Sequence, residues 1–583
     1  MKKLLVLFVV VFAALAMFAD DVEWLVENVS GGQRGGTLYL TTTDGPKTLN
    51  SYQAQETSST DILAWLFDSA MQSNNKGITS LQAMAKSFSV EETQSGTFTG
   101  VKYTFTLRKG LKWSDGVPIT ADDFVFTAEK IAFVNEMTAN GNGAYLDDKD
   151  NLPVVKKVDD YTVTFTYEKS KFRQGYTMLG GMTIFPKHYF ADKVDTPEHF
   201  KQTWTVDQID KLVTSGPFIL SEYKEGVRLV LKRNPYYYAK SKDGVQLPYL
   251  DEVVYNIVPN TNTELLKFEA GESDIFAPNA KDFPQIKSEA SEKGWNVVVG
   301  GPALGSQFIA FNFNAPDKYK RAWFRNVNFR KAIAFAFDKQ SIIDNLYNGL
   351  GVPLYGPTSS SSGFYDPEVE NLGYRFSISK AKRYLKKAGF TWNADGKLVD
   401  KDGNIVKYTL STNVGNNVRE EIGNILSDSL AKLGIEVVFR PIAFNTLVQK
   451  LFGGDWDSII IGLTGGVDLG DGWNVNRLDG GLHFWNYSPE SQKWVDKDDY
   501  FVPDYEKRID EIFKEQAVTL NQDKLKELFN EYQMLVAQNQ ILVYTVAQNY
   551  LVAYKKSVHI FNPTPSPAAP TLWKRYCIWK ETK

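Results

Sequence analysis

Residues 455–487, DWDSIIIGLTGGVDLGDGWNVNRLDGGLHFWNY, concentrate the side chains best suited to holding a small solute. The run 456–462 has Ile459, Ile460 and Ile461 in its middle and reads as a buried strand. A glycine-dense loop follows, carrying Thr464, Asp468 and Asp471. Two Trp-Asn pairs come next, Trp473-Asn474 and Trp485-Asn486, with Asn476 between them. Indoles cover flat apolar faces, while Asn, Asp and Thr side chains offer hydrogen-bond donors and acceptors. A pyranose presents both surfaces at once, C–H faces and a rim of hydroxyls, so the pattern points to a sugar. Each of these residues also has a structural use, Trp as core and Asn as a turn cap, and sequence leaves both open.

Reaction chemistry finds less support. The chain has no H-E-x-x-H, no G-x-S-x-G, no G-x-x-x-x-G-K phosphate loop and no cysteine beside a histidine. Asp122-Asp123, Asp159-Asp160 and Asp498-Asp499 read as caps and solvated charge. A glycoside hydrolase needs two carboxylates about 5–10 Å apart across a cleft, and it stays as the catalytic alternative. Asp395-Gly396 and Asp400-Lys401-Asp402-Gly403 hint at a calcium loop, but its closing Glu is missing, and two hairpin turns explain them. The 4 histidines are scattered, so neither a metal nor a cofactor is expected.

The elements that must carry such a site alternate between strand and helix, which makes the class α/β. The stretch 107–131, LRKGLKWSDGVPITADDFVFTAEKI, shows the plan. Tyr103, Phe105 and Leu107 alternate with threonines as a strand, Asp115-Gly116 turns, and Thr120 caps a helix with Asp123. Phe124, Ala128 and Ile131 share that helix's inner face. Helices are also predicted over 326–338, 380–388, 419–433, 504–519 and 522–538. Strands are predicted over 250–258, 435–439 and 542–546.

The ends and the composition fix a compartment. Residues 1–19 read as a signal peptide, with Lys2-Lys3, an apolar run and small residues at Ala16 and Ala19. No cysteine lies near the cleavage site, so no lipid anchor is expected. Cys577 is the single cysteine, which leaves 583 residues to be held by their core alone. A formal charge of −4 without a basic patch argues against nucleic acid.

The 107–131 string closely resembles the signature of the family 5 extracellular solute-binding proteins, which serve ABC importers of oligopeptides, nickel and some oligosaccharides. Ser215-Gly216-Pro217-Phe218, KRNPYY from Lys232, PYLDEVV from Pro248, FEAGESD from Phe268, VNFRKAIAFAFDK from Val327 and SKAKRYLKKAGF match its other motifs in order. The resemblance implies the type II periplasmic-binding-protein fold in its large three-domain form, two lobes on a hinge. Domain I would comprise 20–73, 212–301 and 542–583, domain II 74–211 and domain III 302–541. The partners implied are a small solute and the ABC permease subunits, with the receptor a monomer free outside the cytoplasm.

Peptide-binding members of the family carry an acid four residues after the strand-ending glycine, where it pairs with the ligand's α-amino group. Counted from Gly462, this chain has Gly466, with Asp468 two residues on. The segment instead resembles the branch that binds β-linked oligosaccharides. The expectation is therefore an oligosaccharide receptor, with an oligopeptide receptor as the alternative. By position in the family, Lys47, Tyr145 and Tyr544 join the cleft residues, and Trp65 and Trp204 are the next aromatic candidates.

Overall fold

The computed structural model describes residues 22–490, 492 and 494–582. The expected signal peptide lies outside them. The strand–turn–helix forms as its sequence dictates. Phe98–Leu107 is an inner strand of a four-stranded antiparallel sheet, between Ala85–Ser95 and Thr162–Tyr167, with Val154–Asp159 beyond. Tyr103, Phe105 and Leu107 are buried, because alternate residues of a strand face one side. Gly116 turns with φ 89°, a conformation glycine adopts freely. Thr120 and Asp123 close a reciprocal capping box on the helix Ala121–Thr127. That helix relaxes into a π-helical turn, Ala128–Ala132, which still buries Ala128 and Ile131.

Two large apolar cores result. The first gathers residues between Leu25 and Tyr255 together with Val552–Ile578 residues. It lies under the sheet just described and a second one, in which Thr37–Thr42 pairs parallel with Glu252–Ile257, followed by Arg228–Arg233 and Phe218–Lys224. The second core gathers residues between Ala280 and Leu551 around a five-stranded sheet. Its order is Glu436–Ile442, Lys407–Asn413, Ser458–Leu463, Ser306–Phe311, Val543–Tyr544. The helices Val327–Ala336, Ile378–Lys387, Asn417–Ala431, Asp504–Ala517 and Gln522–Asn539 bury their apolar faces in this core. The Asp-Gly turn near 396 joins a small antiparallel pair, Thr391–Trp392 with Leu398–Val399, and the turn near 403 is closed by a bridge from Val399 to Ile405, with Asp400 accepting from the backbone of Asp402 and Asn404.

The chain passes between the cores along neighbouring strands. Trp295–Pro302 leads into Ser306–Phe311, and Val543–Tyr544 leads into Val546–Lys555. Val298 lies opposite Val552, and Phe308 opposite Tyr544, so the two passages run antiparallel side by side. Val546–Lys555 starts in the second core, with Val546 and Leu551, and ends in the first, with Val552 and Tyr554. Few residues absorb any motion between the lobes, which is the arrangement of a hinge.

Candidate functional site

The strand Ser458–Leu463 sits inside the second-lobe sheet, with Ile459 and Ile460 buried, so its register is fixed and its end points the following loop at the first lobe. That loop forms the 3-10 turn Leu469–Gly472 and the short helix Trp473–Asn476. Two cavities flank it. An inner one of about 300 Å³ is walled by Ser306, Phe308, Thr358, Ser359, Thr464, Asp468, Asp471, Asn474, Asn476, Tyr532 and Tyr544. An outer one of about 460 Å³ lies between the lobes, with Asp147, Asp148, Asp150, Phe172 and Gln174 on one side and Asp471, Trp473, Arg477, Phe513 and Lys514 on the other. Asp471 stands in the wall of both. Their volumes fall in the range usual for small-molecule sites.

The loop's acids have different fates. Asp468 is bound by Arg173, which reaches over from the first lobe with Nη1 2.6 Å from Oδ2 and Nη2 2.9 Å from Oδ1. Burial works against the charge of Arg173, and the Asp468 carboxylate more than offsets it. Gly470 lets the guanidinium in, since a Cβ there would stand 2.6 Å from Nη2. Asp471 accepts only from a neutral group of the same lobe as Arg173, Gln174 Nε2, at 3.0 Å among the bonds observed. Burial and then the neighbouring Asp468 push its carboxyl up to about 6, against the pull of Arg173 and Gln174.

Thr464, Asp468, Asp471, Asn474, Asn476 and Tyr544 thus line the inner cavity, and Trp473 lines the outer one, 43% exposed. Two of the polar ones are partly engaged: Asn474 Oδ1 accepts from Gly481 N, and Asn476 Nδ2 donates to Gly472 O.

The second Trp-Asn pair is a correction. Trp485 is 2% exposed, and its Nε1 donates to Glu506 Oε1 at 2.8 Å. Asn486 is fully buried and donates Nδ2 to the other oxygen of the same carboxylate at 2.6 Å. Both bind a buried acid on the helix Asp504–Ala517, and neither lines either cavity.

Lys47 lines neither cavity; its side chain is solvated, 3.9 Å from Asp44. Tyr145 is also turned away. Its ring packs on Phe133 with centroids 5.4 Å apart, and burial pushes its hydroxyl up to about 12, while Ala144 and Leu146 on either side form the wall. Trp65 and Trp204 are fully buried, Trp65 donating to Tyr255 and Trp204 packed edge-on against Phe190.

Sequence reasoning missed Ser306, Thr358, Tyr532, Arg173 and Gln174. Arg173 and Gln174 meet the loop only through tertiary structure, and nothing in their local sequence marks them. Among the described residues no group of three or more His, Cys, Asp or Glu is placed to hold a metal, and no helix is long and apolar enough to cross a membrane.

Two lobes on a paired-strand hinge, with one cavity between them and a second in the wall of the second lobe, define a solute-binding receptor. Residues 84–480 match the family described as "Bacterial extracellular solute-binding proteins, family 5 Middle", and the chain belongs to that family. A probable ABC transporter-binding protein of Deinococcus radiodurans is 33% identical over 525 residues, 84% of this chain and 85% of that one. The oligopeptide-binding protein AppA of Bacillus subtilis is 29% identical over 501 residues, 83% and 85% of the two chains. The structure of AppA in complex with a nonapeptide superposes with a TM-score of 0.68 at 25% identity, over 94% of this chain and 100% of AppA. The periplasmic alpha-galactoside-binding protein of Rhizobium meliloti is 27% identical over 387 residues, 62% of this chain and 55% of that one. The protein is therefore an extracytoplasmic solute-binding receptor of an ABC importer, with the α/β fold of that family, and not an enzyme.

Proposed function

We propose that the solute is a short oligopeptide, bound between the lobes with its α-ammonium at Asp471. The observation that carries this reading is the position of Asp471 in the walls of both cavities, with a neutral amide as its partner. A carboxylate so placed lacks a counter-cation of its own, and an ammonium supplies one through a charge-assisted hydrogen bond. Asp468, two residues past the family's usual position for the acid, is taken by Arg173. The hydroxyls of Thr464, Ser306 and Ser359 suit a peptide backbone, and the face of Trp473 suits a side chain. Among the relatives, AppA is named for oligopeptides.

An oligosaccharide is the second reading, favoured by the exposed indole of Trp473 beside Asn474 and Asn476 and by the alpha-galactoside-binding relative. It loses the support of Trp485 and Asn486. Calorimetric titration with one pentapeptide, N-terminally free and N-acetylated, tests the main reading. Binding of the free form and at least tenfold weaker binding of the acetylated form are expected. Equal affinities would remove Asp471 as the ammonium partner.

A further inference from the structure

Arg173 belongs to the first lobe by sequence and to the second by its bonds. It follows the strand Thr162–Tyr167, and its backbone carbonyl accepts from Tyr103 of the first-lobe core at 3.3 Å. Its side chain is 2% exposed. Beyond the two bonds to Asp468, its Nη2 donates to Gln516 Oε1 at 2.8 Å, its Nε to Gln516 O at 3.2 Å, and its backbone N to Ala517 O at 2.6 Å. All of these join protein to protein across the cleft, and none requires a solute between the lobes.

We propose that the Arg173–Asp468 pair is a latch that closes the receptor by itself, so that the solute enters an equilibrium already biased toward the closed form. A buried bidentate pair suits this role because lost water offsets most of the attraction between its charges, so the pair, with the bonds of Arg173 to Gln516 and Ala517, favours the closed form without locking it. The lobes can therefore separate and rehydrate the pair. Removing one partner is different, since it strands the other charge in the closed form while the open form, where both are hydrated, is unaffected. Closure should then be disfavoured by about a hundredfold or more. The latch also leaves Asp471 as the acid offered to the solute, because Asp468 is spent.

The test needs no ligand. Wild type, Arg173→Gln and Asp468→Asn are unfolded in guanidinium, washed free of carried solute, refolded, checked by thermal melting and compared by small-angle X-ray scattering. The expected result is a compact wild type and a larger radius of gyration for both variants. Asp468→Asn keeps the side-chain shape and the Gly470 cap, so it carries the test if Arg173→Gln folds poorly. A wild type as expanded as the variants, or variants as compact as the wild type, would overturn the latch. Neither result bears on whether the solute is a peptide, which is measured separately.

Discussion

Gln174 Nε2 donates to Asp471 Oδ1 across 3.0 Å, joining the first lobe to the loop that follows the central strand of the second. An amide can orient a carboxylate but cannot neutralise it. Asp471 is thus held in place at the junction of two cavities with no cationic group bonded to it, an arrangement open to an ammonium.

This makes binding pH-dependent. The free receptor's Asp471 titrates at about 6, and an ammonium ligand binds only the ionised form well. Affinity for a peptide should therefore rise as pH climbs through 6 and fall by up to about tenfold per unit below it. Above about pH 8 it should fall again as the peptide's own α-amino group deprotonates. Calorimetry between pH 5 and 9 checks this. Asp471→Asn should bind weakly and lose the acidic limb while keeping the basic one.

The two tryptophans of the loop should part company. Trp485→Ala should lose about 3–5 kcal/mol of stability, because it leaves a cavity in the core and an unsatisfied Glu506. Trp473→Ala should melt close to wild type, since the indole is half in solvent, and should bind about thirtyfold more weakly if it is an anchor. Melting curves without ligand and titrations with it separate the two effects.

Lys339 offers a test of the fold away from the site. Its ammonium is buried at the start of the helix Lys339–Tyr347, donating to Leu354 O at 2.5 Å without an acid beside it, and burial pushes it down to about 7. The unfolded chain holds the proton up to about 10.4, so between 7 and 10 the unfolded state binds more protons and stability rises with pH. Lys339→Met should be more stable than wild type at pH 6.5, with the gain shrinking by pH 10. Urea denaturation at the two pH values measures it.

Much of the fold was legible in the sequence because local rules and tertiary packing agree there. Thr120 and Asp123 cap the helix that they predict, and the alternation of Tyr103, Phe105 and Leu107 sets a buried face. The candidate site was legible only where one segment supplies it. Thr464, Asp471 and Asn474 follow a buried strand, and its end delivers them to the cleft. Trp485 and Trp473 have the same neighbour, an asparagine, and opposite environments. What decides between them is Glu506, a buried acid brought in by a helix beyond the loop. Arg173 was invisible for the same reason: its partner lies across the cleft, in the other lobe.

The central claim is that the solute is a peptide, and the most direct measurement is the melting temperature against defined panels of tri- to nonapeptides and of neutral gluco-, manno-, xylo- and galacto-oligosaccharides. A ligand at 100 times its dissociation constant adds about 2.7 kcal/mol to the folded state, enough for a visible shift. The account predicts an upward shift with peptides that have a free N-terminus and none with the sugars. A shift with the sugars and none with any peptide would contradict it.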